Sequence, residues 1–323
     1  MSEPTDLVVT LDGNAITRAV LAGLQDRSVQ RSSAPSASVP VWLRGCVWAC
    51  DPAAIEGLAA LADVAATDRV EVTRASTSDL VQGPGGSVAV IGVHGFLTRR
   101  PSFWSSLFGG ASLVDLESSL RDAVRDPGVS AIVLDCDSPG GSVTGVHETW
   151  EAVRAANAVK PVTVAISGLC ASAAYWIASA ASRIAISPSA EVGSIGVFGV
   201  HADRSAYYAA EGVTFSVFAS PESKAENVDF LPLSDEARSA MRRRVESHYA
   251  RFVGDVASGR GTTPDAVRAG YGGGRVVGSA DALASGLVDV IETPAATVGR
   301  VLDSLGDRSR RAELARFRSE ANV

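Results

Sequence analysis

Of the 29 basic residues in this 323-residue chain, only Lys160 and Lys224 are lysines. Arginine supplies the rest of the positive charge, so a retained lysine invites a chemical reason. A desolvated lysine can shed its proton and act as a base, whereas a guanidinium stays charged. Lys224 lies in "FASPESKAENVDF" (218–230), although codon bias alone would also leave few lysines. A base needs a nucleophile, and "AISGLCASAAYWIASAA" (165–181) offers Ser172. There a strand is expected to end at Ser167-Gly168 and a helix to begin near Ala171. Ser172 would sit on its first turn, with the N–H of Ala173 beside it; an N-cap or packing serine is the competing reading. A third piece is "VLDCDSPGGSV" (133–143), in which a strand runs into Ser138-Pro139-Gly140-Gly141 and a helix is expected straight after. Paired glycines leave backbone N–H groups exposed at a helix start, where negative charge is favoured. That suits an oxyanion hole, and an ordinary strand-to-helix turn uses the same residues.

Other reactive side chains fit less well. Among His94, His147, His201 and His248, only His201 follows Ser172 at a spacing suited to a Ser-His-Asp triad, and it is expected to be structural or surface-bound. Asp135 and Asp137 flank a strand end as a metal pair would, but no third ligand accompanies them, so local hydrogen bonding is expected. Cys170 reads as a small buried residue. Four cysteines without zinc-site spacing form neither a metal centre nor a disulfide framework, which fits a reduced, cytoplasmic setting. Neither metal nor cofactor is expected. A formal charge of −7 argues against nucleic acid as a partner. No apolar run is long enough to span a membrane.

The elements that must position these residues follow from the apolar pattern. Residues 1–39 read as a flexible tail ending in a Ser-, Pro- and Ala-rich linker, and 40–85 as a small helical region with a helix in "DPAAIEGLAALADVA" (51–65). From residue 86, apolar strands alternate with helices: "SVAVIGVHGFL", "SAIVLDCDS", "PVTVAIS", "RIAISP", "SIGVFGV" and "VTFSVFA" read as strands. Such alternation predicts an α/β fold with a mostly parallel sheet and flanking helices. Residues 234–258 carry Ala237, Met241, Val245, Tyr249 and Phe252 or Val253 at helical spacing, giving one long helix on the sheet or on a neighbouring subunit. The core is expected to close near residue 300, leaving 301–323 as a charged tail. In "GFLTRRPSFWSSLFGGAS" (95–112), Phe103, Trp104, Leu107 and Phe108 form an apolar loop expected at the substrate groove or a subunit contact.

In this order, strand–SPGG–helix, strand–G-x-x-A-S-A–helix, "GSIGV" and Lys224 resemble the ClpP/crotonase superfamily and, within it, serine peptidases of the signal-peptide-peptidase A family. The closing "RVVGSADALASGLVDVI" (275–291) is similar to that family's last segment, with Ser279 where the pattern has glycine. The resemblance implies Ser172 as nucleophile, Lys224 as general base, and an oxyanion hole from Gly140 or Gly141 with Ala173. It also implies a homo-oligomer in which the lysine can come from an adjacent subunit. The leader "VPVWLRGCVWACDPAAIEGLAALADVAA" resembles the phage branch of minor capsid protein C and prohead proteases. That branch implies scaffold, portal and capsid proteins as substrates, self-cleavage, and work in the host cytoplasm or inside the prohead. The alternatives are a soluble signal-peptide-peptidase-like enzyme that degrades peptides and, further off, a crotonase-like acyl-CoA enzyme or an inactive assembly protein.

Overall fold

The computed structural model describes residues 47–50, 78–83, 85–100 and 110–320. In chain order the elements are β1 (Val47–Cys50), β2 (Ser78–Gly83), β3 (Gly86–His94), α1 (Leu113–Arg125), β4 (Val129–Ser138) and β5 (Gly140–Ser142). There follow α2 (Val146–Val159), β6 (Val162–Ala171), α3 (Ala173–Ala178), β7 (Arg183–Ile186), β8 (Glu191–Gly193) and β9 (Phe198–Gly199). The last part holds α4 (Ser205–Ala210), α5 (Asp235–Gly259), α6 (Pro264–Gly270), β10 (Val276–Gly278), α7 (Ser279–Ser285), β11 (Val290–Ile291) and α8 (Pro294–Glu320).

The main sheet runs β10-β8-β6-β4-β3-β2, with β7 beside β6 and β11 beside β7. Its centre, β3, β4, β6 and β7, is parallel, as the continuous apolar strands predict. Alternation along β4 sends Ile132, Leu134 and Cys136 into the larger core and Ala131 and Val133 into the smaller. The smaller core is covered by Val301 and Leu305 of α8, so the boundary expected at residue 300 falls inside a helix whose first half packs on the sheet. The larger core takes Leu113, Leu116 and Leu120 of α1, one face at helical spacing. Ser112 caps that helix by accepting from the Asp115 N–H. Its other end is closed by Lys160, whose Nζ donates to the carbonyls of Ala123 and Asp126 at 2.7 and 2.5 Å. One of the two lysines thus has a structural task.

Two strands, Val47–Cys50 and Ser78–Gly83, occur in the stretch expected to be helical; the helix expected at 51–65 and the loop residues Phe103, Trp104, Leu107 and Phe108 lie outside the described residues. A second, three-stranded sheet, β5-β1-β9, stands beside the main one, and both of its ladders are antiparallel. Among the described residues, no helix is long and apolar enough to cross a membrane.

Candidate active site

β6 continues past Ser167-Gly168, where it was expected to stop, because Leu169–Ala171 pairs with β8 after Thr163–Ile166 has paired with β7. Ser172 therefore follows the strand directly and precedes α3 rather than sitting on its first turn. Its backbone has φ 53° and ψ −115°, a region that non-glycine residues enter only at a cost of about 1–3 kcal/mol. The surroundings hold it there: its N–H donates to the Gly193 carbonyl and its carbonyl accepts from Trp176 N–H, both at 2.8 Å. The side chain makes no capping bond; Oγ donates to the Gly196 carbonyl at 3.2 Å. Ser172 is fully buried.

The glycine turn differs from expectation in the same direction. Gly140 and Gly141 open strand β5, and α2 starts only at Val146 after a left-handed Gly145, so the turn's N–H groups belong to a strand edge and not to a helix end. Gly140 has φ +93°, which favours glycine. Its carbonyl accepts from Leu97 N–H at 2.9 Å, and Ser142 N–H donates to the Leu97 carbonyl at 3.0 Å. One strand edge thus faces Leu97, so the N–H and carbonyl of Gly141 face the other way, toward β1. A Cβ on Gly140 would lie 3.0 Å from Ala173 N, so the first amide of α3 opens onto the same space.

The helix that follows Ser172, α3, is held from behind. Trp176 stacks on Phe252 of α5 at 4.5 Å and donates through Nε1 to Asp255 Oδ2 at 2.8 Å. Asp255 also bonds His147 Nδ1 at 2.7 Å, and Tyr175 donates its hydroxyl to the Leu287 carbonyl at 2.9 Å. This brace was not anticipated, since its members come from four separated segments.

Lys224 is not brought to Ser172 within one chain. It lies in a 3-10 turn, Glu222–Ala225, exposed on the arm between β9 and α5, and no hydrogen bond links it to Ser172. The arm shows Tyr207, Val213, Phe215, Val217 and Phe218 to solvent, Phe218 being 95% exposed. The strand expected at 213–219 has no strand partner among the described residues. His201 makes no bond to Ser172 either; it lines an open cavity with Val197, Met241 and Val245.

Asp137 accepts the Leu169 N–H at 3.0 Å, and His94 Nε2 lies 3.0 Å from Asp135 Oδ2. Among the described residues, no group of three His, Cys, Asp or Glu side chains could hold a metal. Cys170 is fully buried, and contact with it, then burial, pushes the Cys136 thiol well up, leaving neither sulfur suited to attack. The hydrogen bond to Asp135 raises His94 above its usual value against the effect of burial, with the Asp135 and Asp137 charges adding. A raised folded value stabilises below the unfolded one and is lost as pH rises through it. Replacing His94→Gln is therefore expected to cost stability at about pH 6 and progressively less toward pH 8, read from denaturation midpoints.

The parallel sheet with flanking helices, the strained serine at a strand-to-helix junction and the adjoining glycine strand define a ClpP/crotonase-like α/β domain. Residues 154–305 match the family described as Peptidase family S49. The chain is 37% identical to Protease 4 of Salmonella typhi over 206 residues, 64% of this chain and 32% of that protein. It is 30% identical to Capsid assembly protease C of Escherichia phage lambda over 239 residues, 72% of this chain and 53% of that one. To the Head-tail preconnector protein GP5 of Enterobacteria phage P21 it is 30% identical over 180 residues, 56% of this chain and 36% of that one. The chain thus spans between 32% and 53% of the length of these relatives.

Proposed function

We propose that this chain is a serine endopeptidase in which Ser172 attacks the substrate carbonyl and Lys224 is the base. The observation that carries the reading is Ser172 itself: a non-glycine residue at φ 53°, uncapped, beside two strand-edge and helix-start amides. Gly141 and Ala173 N–H would hold the oxyanion, where preorganised donors are worth most; Gly140 supplies the turn and the open space. A neutral Lys224 amine would take the Ser172 proton and pass it to the leaving amine.

Because Lys224 sits on an exposed arm rich in apolar side chains, we place it in the site of an adjacent copy of the chain. Burial of Phe215 and Phe218 on that copy would drive assembly. Activity would then appear only on oligomerisation. The relatives named for capsid assembly and head-tail preconnection favour a phage capsid-maturation role, with scaffold, portal or capsid proteins as substrates in the host cytoplasm or the prohead. The higher identity to Protease 4 favours a second reading, an enzyme that degrades peptides.

Casein at concentrations above and below assembly tests the activity. Hydrolysis that rises with oligomer supports the reading, and casein left intact both by the fully assembled chain and by an assembled variant whose β1 is displaced refutes it. Co-expression with a scaffold protein and with unfolded peptides separates the two roles by which is cut faster.

A further inference from the structure

β1 has an unusual set of neighbours. Its two ladders run to β5, which carries the glycine pair, and to β9, just beyond the Gly196 carbonyl that receives the Ser172 hydroxyl. Among the described residues it has no ladder to the main sheet. Val47, Trp48, Ala49 and Cys50 are all buried, none more than 5% exposed, although they come from far upstream of the site. An extended segment held antiparallel on both edges between the walls of a peptidase site is how a peptide substrate would lie, its main chain supplying the bonds.

The register shows which carbonyl of β1 meets the glycine strand. Val143 N–H donates to the Val47 carbonyl at 3.4 Å. Bonded pairs recur every second residue in an antiparallel ladder, so the next is Ala49 with Gly141, the partners the register shows. Gly141 N–H therefore points at the Ala49 carbonyl. From the other side, the Cβ position over Gly140 lies 2.4 Å from Ala49 O and 3.0 Å from Ala173 N. The Ala49 carbonyl thus lies against the Gly141 N–H and borders the space onto which the Ala173 amide opens.

We infer that β1 is the chain's own first substrate, with Ala49–Cys50 as the bond cut and β1 as the block that keeps other peptides out until then. This rests on the serine-peptidase reading and adds to it a site and an order of events. Ser172 Oγ adds to the Ala49 carbonyl carbon, and its proton passes through the amine base to the Cys50 nitrogen as the C–N bond breaks. Water then adds to the Ala49 ester, giving the Ala49 carboxylate and restoring the Ser172 hydroxyl. One water is consumed and nothing is oxidised. Alanine suits the position, since a larger side chain would crowd the wall where Ala49 is fully buried.

The test uses the full chain as wild type, as Ser172→Ala, and as the double variant Val47→Asp, Ala49→Asp, each followed by intact mass and N-terminal sequencing with casein added separately. Expected are loss of residues 1–49 from wild type with a new N-terminus at Cys50, no cut in Ser172→Ala, and casein hydrolysis that begins after a lag in wild type and without one in the double variant. Wild type that digests casein while residues 1–49 stay attached overturns the inference and leaves the peptidase reading intact. A first cut elsewhere, or a cut at Cys50 that persists in Ser172→Ala, also overturns it. If neither wild type nor the double variant digests casein, the peptidase reading fails and the inference with it.

Discussion

A Ser172→Ala chain is expected to lose peptide hydrolysis by roughly 10³-fold or more while folding as the parent does, because nothing else in the site can form the acyl intermediate. The structural cost should be small. Oγ makes a single long bond, 3.2 Å to the Gly196 carbonyl, and removing it costs about 1 kcal/mol or less. The main-chain bonds to Gly193 and Trp176, which hold the φ 53° conformation, do not involve the side chain. The two readings of this residue therefore separate cleanly. If Ser172 were a packing serine, alanine would shift the unfolding midpoint slightly and leave casein hydrolysis within a few-fold of the parent. Unchanged hydrolysis by a folded, assembled Ser172→Ala chain would remove the serine from the mechanism.

What could be read along the chain was local. Apolar runs gave β3, β4 and β7, and helical spacing placed the long helix at 234–258 against the observed Asp235–Gly259. The errors fall where a distant partner decides the outcome. β6 continues past Ser167-Gly168 because β8 is there to pair with Leu169–Ala171, which "SGLCAS" cannot announce. "SIGVFGV" was expected as a strand, yet the ladders fall on Glu191–Gly193 before it and Phe198–Gly199 within it, with Ser194 at φ 53° between them. "VTFSVFA" has strand composition but no edge to join among the described residues; Phe215 packs on Phe230 and Tyr208 of its own arm instead.

The site shows the same division. Ser172 and the glycine pair stand out by residue type, because strained turns admit few alternatives. Val47–Cys50 did not stand out, since "VWAC" is a strand only by virtue of Gly140–Ser142 on one side and Phe198–Gly199 on the other. The brace of Trp176, Asp255 and His147 was equally hidden, joining residues up to 108 positions apart. The scarcity of lysine was a partial guide. Lys160 answers to helix capping, which leaves Lys224 as the lysine with no structural duty in view.

Changing Lys224→Ala, or to arginine, is expected to reduce hydrolysis as severely as losing the serine. Arginine fails because it keeps its proton at any working pH, so restoring the charge does not restore the base. Stability should hardly change, since Lys224 is exposed and its segment is fixed by main-chain bonds such as its own N–H to the Pro221 carbonyl at 3.0 Å. The decisive measurement mixes the two dead chains. If Lys224 serves the site of a neighbour, a Lys224→Ala subunit still offers Ser172 and a Ser172→Ala subunit still offers Lys224. Random equimolar assembly then rebuilds roughly a quarter of the sites, and activity returns from two inactive preparations. A dyad within one chain gives no recovery at any ratio, because every site lacks one partner. Full activity in Lys224→Ala alone would show that another group takes the proton, and His201, at the edge of its cavity, would be the next residue to replace.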